Sequence, residues 1–197
     1  MKLLLASGSA TRRRMLEQAG VHFDVVLPTA DEEEHKTALL EAGTAPRSIS
    51  QRLAELKALS VTAADGALVL GSDQILEQED GAILSKPGSR GEARAQLASL
   101  GGRRHQLHSA AVLAEGDKIV WSATESVELT MRPLSAGFLD DYLDAKYQSV
   151  RHNVGCYRIE GMGAQLFERV SGSHFAVLGL PLLPLLAELR RRGLLAS

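Results

Sequence analysis

The sequence predicts an α/β protein in which helices cover a sheet of largely buried strands. Two short, almost wholly apolar runs, at residues 2–6 and 67–73, have the composition of strands that are buried on both faces. A glycine–serine pair lies at the end of each run, and segments with helical spacing of apolar residues alternate with the predicted strands. This alternation along the chain is typical of the α/β class.

In the first half of the chain, turn and stop residues set the predicted boundaries. A helix over 10–19 begins after a Ser-Gly-Ser turn and stops at a glycine, and Pro28 ends a strand over 23–27. Apolar residues recur at helical spacing over 48–64, which predicts a second helix. The acidic run at 31–34 is predicted to lie in the loop that follows the strand over 23–27.

Predicted strands and helices also alternate in the second half of the chain. A hairpin is predicted over 75–84, and two long strands at 106–114 and 118–131 turn at an intervening Glu-Gly-Asp. Ser135 can cap a helix that follows the second strand. The helices predicted here lie at residues 91–100, 135–146 and 181–192, and glycines make the region from 155 to 172 loop-rich.

The composition favours a small anionic ligand over nucleic acid. The 197 residues are 45% hydrophobic, and 22 basic and 24 acidic residues give a net charge of −2, whereas a general nucleic-acid binder is usually basic. Cys156 is the only cysteine, which excludes an intrachain disulfide, and no Cys/His cluster has the spacing of structural zinc. The apolar start ends at Ser7, too early for a secretory signal or a membrane span. We therefore expect one cytoplasmic domain over residues 1–197, with no membrane partner.

The first candidate site is the turn that follows the first strand. A strand, a Gly/Ser turn and a helix start bring backbone N–H groups and the positive end of the helix dipole together, and Ser7, Gly8 and Ser9 form that turn. Arg12 and Arg13 lie in the first helical turns, where their charges oppose the dipole. A bound polyphosphate would interact favourably with both. On spacing alone, a solvated basic turn capped by Ser9 fits equally well.

Asp73 is the second candidate, because it lies where a strand is predicted to leave the sheet. Ligands of open α/β sheets bind outside the carboxyl ends of the strands, and an aspartate there can hold Mg²⁺ or orient an attacking water. The alternative for Asp73 is that it only caps a turn. The alternative for the acidic run at 31–34 is that it forms a solvated face. Lys57 on its own is predicted to lie at the surface, whereas Pro87 restrains Lys86 as a positioned charge. The sequence contains no Gly-x-Ser-x-Gly elbow and no Walker loop, which argues against a Ser-His hydrolase or a P-loop kinase.

Seven short motifs follow one another along nearly the whole chain. They lie at residues 5–13, 31–32, 53–58, 71–74, 85–87, 155–161 and 179–182. This ordered set resembles the Maf family of nucleoside triphosphate pyrophosphatases. The resemblance implies a Maf/ITPase-like fold, in which helices flank an elongated central mixed sheet and a cleft lies between two lobes.

The resemblance also implies an activity and a set of roles. The expected reaction cleaves a nucleoside triphosphate between the α- and β-phosphates with a divalent cation, Mg²⁺ or Mn²⁺, and serves to remove modified or unwanted nucleotides. Asp73 matches the proton acceptor, and Glu32 would contribute with it near the metal. The triphosphate would be held by Ser9, Arg12, Lys57 and Lys86. A homodimer is the expected assembly.

Three positions bear on which nucleotide base the protein is expected to prefer. Gln74 and Glu160 resemble the branch of the family that prefers 7-methyl-GTP, because the dTTP/UTP branch carries Thr and Gln there. A carboxylate at Glu160 can accept hydrogen bonds from the N1–H and 2-amino edge of guanine. Thr11 departs from both branches, where a tryptophan or an arginine is expected. Two alternatives stay open: a dTTP/UTP pyrophosphatase, and a nucleotide-binding regulator of septum formation with little catalysis.

Overall fold

A computed structural model describes residues 2–196. The strands are β1 (Leu3–Ala6), β2 (Asp24–Val26), β3 (Leu68–Gln78), β4 (Ile83–Leu84), β5 (Arg104–Glu115), β6 (Lys118–Met131) and β7 (Phe167–Ser171). The α-helices are α1 (Ala10–Gln18), α2 (Glu32–Glu41), α3 (Pro46–Leu59), α4 (Arg90–Leu100), α5 (Ala136–Val150), α6 (His174–Val177) and α7 (Leu182–Arg191). Two 3₁₀ turns lie at Val154–Cys156 and Gly161–Leu166. No helix within residues 2–196 is both long enough and apolar enough to cross a membrane.

The strands form one mixed sheet in the order β2-β1-β3-β5-β6-β7, with β4 paired to β3. β1 runs parallel to both β2 and β3, whereas β3–β4 and β6–β7 are antiparallel pairs. The predicted α/β class, with a mixed sheet flanked by helices, is therefore confirmed. The predicted hairpin is also confirmed, since Leu76 of β3 lies opposite Leu84 of β4.

Contacts divide the chain into two compact units. The first unit comprises the residues up to Gln74, His108–Glu125 and the residues from Ser173 onwards. The second unit comprises Ile75–Leu107 and Ser126–Gly172. The single domain over residues 1–197 stays a prediction.

In the first unit, β1 is buried on both faces, as its apolar composition predicts. Leu3 and Leu5 pack into a cluster with the helices on one face, where Leu16 of α1 and Leu185 of α7 are fully buried. Side chains alternate along a strand, so the neighbouring residues of β1 pack on the opposite face, against Ala54 and other small residues of α3. Both faces of the strand therefore contribute to the hydrophobic core.

In the second unit, an ion pair joins α4 to α5, and a cation–π contact packs the residue after β6 against α5. Arg94 Nε lies 2.7 Å from Asp140 Oδ1, and the Arg132 guanidinium carbon lies 4.2 Å from the centre of the Phe138 ring. Cys156 is buried, and its thiol donates to Gln96 Oε1 at 3.3 Å. Burial raises the pKa of Cys156 to about 12, which makes it an unreactive thiol of the interior.

Three sequence expectations about elements were wrong. The acidic run is not a loop: Asp31 caps α2 by accepting from the Glu34 N–H at 3.0 Å, and the three glutamates lie in the first turn, where the helix dipole favours them. The second predicted helix begins earlier, because Pro46 is a favourable first-turn residue, and it also ends earlier, at Leu59. The loop-rich region contains a strand, β7, which pairs with β6.

Gly71 lies where β3 crosses α3, and this contact makes the first stability prediction. A Cβ atom at Gly71 would lie 2.1 Å from the carbonyl oxygen of Ala54 and 2.7 Å from the nitrogen of Ala58. Both are backbone atoms of a helix and cannot rotate away. Gly71→Ala is therefore expected to lower the free energy of unfolding by about 3 kcal/mol, measured by urea denaturation.

A second glycine supplies the matched control. Gly137 lies in α5, and no atom lies within 4 Å of its ideal Cβ position. Gly137→Ala is expected to leave stability unchanged or to raise it by about 0.5 kcal/mol. Equal urea midpoints for the two variants would contradict the close packing of β3 on α3.

Candidate functional site

The loop between β1 and α1 has the geometry that the sequence predicts. Ser9 is the N-cap of α1, and its Oγ accepts from the Arg12 N–H at 3.3 Å. Ser7 is buried, and its Oγ accepts from the Ser9 N–H at 3.2 Å, whereas Gly8 between them is exposed. The first turn of a helix has N–H groups without helical partners. The loop therefore presents a helix start next to the end of β1.

Asp73 does not end a strand, contrary to the sequence prediction, because β3 continues to Gln78. The parallel pairing of β3 with β1 does end nearby, at Ala6 opposite Gly71. Asp73 therefore lies two residues beyond the last paired position, at the edge of the sheet where the loop after β1 begins. The register of β1 against β3 therefore places Asp73 near the start of the Ser-Gly-Ser turn, although β3 itself continues past Asp73.

The pleat of β3 aims the Asp73 side chain at α3. Side chains two residues apart on a strand share a face, and Gly71 already lies against the backbone of α3. Asp73 therefore faces the same helix, where Lys57 lies between Ala54 and the helix end. The absence of a side chain at Gly71 is what allows α3 to approach closely enough for this contact.

Lys57 joins two carboxylates. Its Nζ lies 2.6 Å from Asp73 Oδ1 and 2.8 Å from Glu32 Oε2. The side chains of Lys57 and Asp73 are only 8% and 12% exposed, whereas that of Glu32 is 37% exposed. Burial of a charge is costly unless the charge is paired, so the three groups stabilise one another. The expectation that Lys57 lies at the surface was wrong, because it considered the helix without the strand that packs on it.

Arg12 is buried and donates to backbone carbonyls. Its Nε lies 2.8 Å from the Gly179 oxygen and its Nη1 lies 2.8 Å from the Ser72 oxygen. Burial lowers the pKa of the Arg12 guanidinium, and the charges of Asp73 and Glu32 act in the opposite direction. Two of the five N–H donors of this side chain are thus engaged within the protein.

The neighbours of Asp73 face away from α3. Ser72 Oγ donates to the Gly179 oxygen at 3.1 Å. Gln74 Nε2 lies 3.0 Å from Ala176 O and 3.1 Å from Val177 O, and 3.0 Å from Ser109 Oγ. Gln74 was predicted to influence substrate choice, and its amide nitrogen contacts the last residues of α6. The other specificity candidate of the first unit, Thr11, is half-buried in the first turn of α1.

The other predicted residues are more exposed. Arg13 lies on the open side of α1, with its Nε 3.7 Å from Glu17 Oε1. Lys86 and Glu160 belong to the second unit, and both are exposed. Arg158 Nη2 lies 3.4 Å from Glu160 Oε1, which is a long contact. The close group of the first unit thus consists of Glu32, Lys57 and Asp73, with Arg12 beside it.

The sequence analysis missed the helix that positions Glu32, and it missed Ser109, which donates to the Ala176 oxygen and accepts from Gln74. A signal for the helix was present, because Asp31 and Glu34 have the spacing of an N-cap and its third residue. No local signal marks Ser109, since its contacts with Gln74 and Ala176 depend on segments that are distant in sequence.

The fold and this group of charges define an α/β protein with a cluster of paired, largely buried charges beside the carboxyl end of the parallel strand β1. The chain belongs to the family described as Maf-like protein, whose model matches residues 2–192. The resemblance stated from the motifs is therefore confirmed.

The names of two sequence relatives agree with the family. The chain is 47% identical over 191 residues to a nucleoside triphosphate pyrophosphatase of Paramagnetospirillum magneticum (strain AMB-1), covering 96% of this chain and 98% of the relative. It is 44% identical over 192 residues to a 7-methyl-GTP pyrophosphatase of Brucella suis biovar 1, covering 97% and 96%. Among solved structures, a HAM1 protein from Coxiella burnetii aligns with 66% of this chain and 73% of that chain, at 15% identity and a TM-score of 0.42.

Proposed function

We propose that this chain hydrolyses nucleoside triphosphates between the α- and β-phosphates, releasing a nucleoside monophosphate and pyrophosphate, and that it acts on modified nucleotides such as 7-methyl-GTP. The observation that carries the proposal is the ammonium of Lys57 between the carboxylates of Glu32 and Asp73. Several relatives are named nucleoside triphosphate pyrophosphatase at 43–47% identity over nearly their full length, which confirms that the chain is an enzyme of this class.

Asp73 is the proposed proton acceptor. Lys57 engages its Oδ1 at 2.6 Å, so Oδ2 is the oxygen that would take the proton of the attacking water. The water oxygen would bond to the α-phosphorus while the bond to the α–β bridging oxygen breaks, and the electron pair would stay on the departing pyrophosphate. The charge-assisted hydrogen bond from Lys57 would fix the orientation of the Asp73 carboxylate before the substrate binds.

The phosphates are the proposed ligands of the loop and of the nearby cations. Ser7, Gly8 and Ser9 would present hydroxyl and N–H donors at the start of α1, and Arg13 adds an exposed charge there. Lys57 would stabilise charge that develops on the leaving pyrophosphate. Lys86 is proposed as a further phosphate ligand from the family motif alone.

Glu32 and Asp73 are the proposed ligands of a divalent cation. Their carboxylates already converge on one cation, the Lys57 ammonium, at 2.8 and 2.6 Å, and hard oxygen donors suit Mg²⁺ or Mn²⁺. Residues 2–196 contain no group of three or more His, Cys, Asp or Glu side chains that could hold a metal, so phosphate oxygens would complete the ligand set. A bound cation would neutralise phosphate charge during cleavage.

The base preference is proposed from Glu160 and Gln74. The relative from Brucella suis is named 7-methyl-GTP pyrophosphatase. Glu160 is exposed and only loosely engaged by Arg158, so its carboxylate can accept from a guanine edge. The dTTP/UTP preference is the alternative. The homodimer, the cytoplasmic location and the lack of a nucleic-acid partner stay predictions.

A substrate panel tests the proposal. With Mg²⁺ present, kcat/KM for 7-methyl-GTP is expected to exceed the values for dTTP and UTP by about tenfold, because one charge-assisted hydrogen bond contributes about 1.4 kcal/mol. Glu160→Gln should remove most of this difference, whereas Glu168→Gln, at another exposed glutamate of the second unit, should not. Pyrophosphate release is the readout.

The other outcomes of the panel separate the alternatives. Faster turnover of dTTP and UTP than of every guanine nucleotide would contradict the proposed preference. Nucleotide binding without turnover of any nucleotide would contradict the hydrolase and favour the septum regulator.

A further inference from the structure

The side-chain amide of Gln74 lies between β5 and the end of α6. Gln74 belongs to β3 and Ser109 to β5, and these two strands are neighbours in the sheet. Gln74 Nε2 lies 3.0 Å from Ala176 O, 3.1 Å from Val177 O and 3.0 Å from Ser109 Oγ. The last carbonyls of a helix have no helical partners, so side chains of other segments can donate to them.

These contacts allow only one orientation of the Gln74 amide. A backbone carbonyl oxygen can accept but not donate, so the atom that faces Ala176 and Val177 is the amide nitrogen. Ser109 has one hydroxyl hydrogen, which it donates to the Ala176 oxygen at 2.7 Å, and a lone pair of its oxygen is left to accept from Gln74. A flipped amide would bring its own oxygen against two carbonyl oxygens and would lose all of these contacts.

The amide oxygen of Gln74 is the end that stays available. Within residues 2–196, Gln74 Oε1 forms no hydrogen bond, and it is not one of the buried polar atoms that lack a partner. The side chain is half-buried, and this oxygen is therefore open to solvent. Ser109, in contrast, is fully buried. Residue 74 thus offers a ligand an acceptor, whereas the hydroxyl that helps to set this polarity is out of reach of a ligand.

We propose that Ser109 is a positioning residue for base recognition: it holds the Gln74 amide so that Oε1 faces the nucleotide, and residue 74 therefore selects a base that presents an N–H donor. The inference rests on the proposed function, in which Gln74 influences base preference. Guanine presents such donors at N1 and at its 2-amino group, and uracil presents one at N3. An amide that is held in one orientation before binding loses less conformational freedom on binding, which favours the contact.

Gln74→Glu tests the orientation without any substrate. Its carboxylate would face two carbonyl oxygens, so the urea midpoint is expected to fall below that of the unmodified protein. This difference should be larger at about pH 8 than at about pH 5, where more of the introduced carboxyl is protonated and can donate.

Gln78→Glu is the control on the same strand. Gln78 Nε2 lies 3.0 Å from Ser99 Oγ, and a hydroxyl, unlike a carbonyl, can turn and donate to a carboxylate. Its urea midpoint is therefore expected to fall less than that of Gln74→Glu. Equal changes in the two variants would overturn the proposed orientation.

Nucleotides that lack one N–H donor test the base contact. ITP lacks the 2-amino group of GTP, 1-methyl-GTP lacks its N1–H, and 3-methyl-UTP lacks the N3–H of UTP. Loss of the donor that meets Gln74 Oε1 is expected to lower kcat/KM by about fivefold, and Gln74→Met should abolish that difference. The proposal would be overturned if the unmodified protein discriminated against none of the three analogues, or if Gln74→Met left every difference unchanged.

Ser109→Ala tests the positioning, and Ser50→Ala is its matched control. Both hydroxyls are fully buried and donate to a backbone oxygen, Ser109 to Ala176 at 2.7 Å and Ser50 to Arg47 at 2.8 Å, so the losses of stability in urea should be similar. Only Ser109→Ala should reduce the preference for the N–H donor, by about threefold, because the Gln74 amide loses one of its acceptors. Equal preferences in the two variants would overturn the role of Ser109.

Failure of the proposed function would have a different signature. Absence of turnover of every nucleotide by the unmodified protein would contradict the proposed hydrolysis. The dissociation constants of the same nucleotides, measured without metal, would then decide the inference. A preference for the N–H donor that falls in both Gln74→Met and Ser109→Ala would support it, and a preference that neither variant changes would overturn it.

Discussion

Asp73→Asn is expected to lower kcat for nucleoside triphosphate hydrolysis by about 10³-fold and to leave nucleotide affinity within about threefold. The amide keeps the size of the carboxylate and can still pack beside Lys57, but it cannot accept a proton from water at neutral pH. Binding depends on the loop after β1 and on the cations, which the substitution leaves in place. Steady-state kinetics for turnover and equilibrium titration of a nucleotide without metal measure the two quantities separately.

An exposed ion pair provides the control for Asp73→Asn. Asp24 Oδ2 lies 2.6 Å from Lys2 Nζ, the same distance as in the pair of Asp73 with Lys57, but its side chain is 61% exposed. Asp24→Asn removes an equivalent charge from the same unit and is expected to leave kcat unchanged. Full turnover by Asp73→Asn would remove the basis for the proposed proton acceptor, and equal losses in the two variants would indicate a general effect of charge.

Lys57→Met is expected to have the largest combined effect on activity and stability. The substitution keeps an apolar stem of similar length and removes the ammonium that lies 2.6 Å from Asp73 and 2.8 Å from Glu32. Two carboxylates are then left facing each other, and that of Asp73 is largely buried. We expect the free energy of unfolding to fall by about 3 kcal/mol and kcat to fall by about 100-fold, because the leaving pyrophosphate also loses a fixed cation.

Two further variants isolate the cause. Lys2→Met removes the lysine of the exposed pair, whose side chain is 66% exposed, and should change stability by less than about 1 kcal/mol. Adding Asp73→Asn to Lys57→Met should recover part of the lost stability, since one unpaired carboxylate is removed. Urea denaturation measures both. A loss in Lys57→Met no larger than in Lys2→Met would mean that the buried group does not stabilise the first unit.

The sequence predicted those parts of the fold that depend on neighbouring residues. The apolar runs predicted β1 and β3, the Ser-Gly-Ser turn predicted the start of α1, and Ser135 caps α5 as expected. The missed helix also had a local signal, an aspartate cap followed by glutamates. The predicted strand end at Asp73 and the predicted surface position of Lys57 were wrong for another reason. Both depend on contacts with segments that are distant in sequence.

Local composition and capping residues specify where strands, helices and the loop after β1 form, because hydrophobic periodicity and backbone hydrogen bonding act between residues close in sequence. The burial of Lys57 and the contacts of Arg12 follow from packing between distant segments. Arg12 and Gly179 are 167 residues apart in sequence, and Lys57 meets Asp73 because Gly71 lets β3 lie against α3. Which charges become paired, and which donors are engaged by carbonyls, depends on that packing, since the cost of burying a charge is set by the groups that surround it.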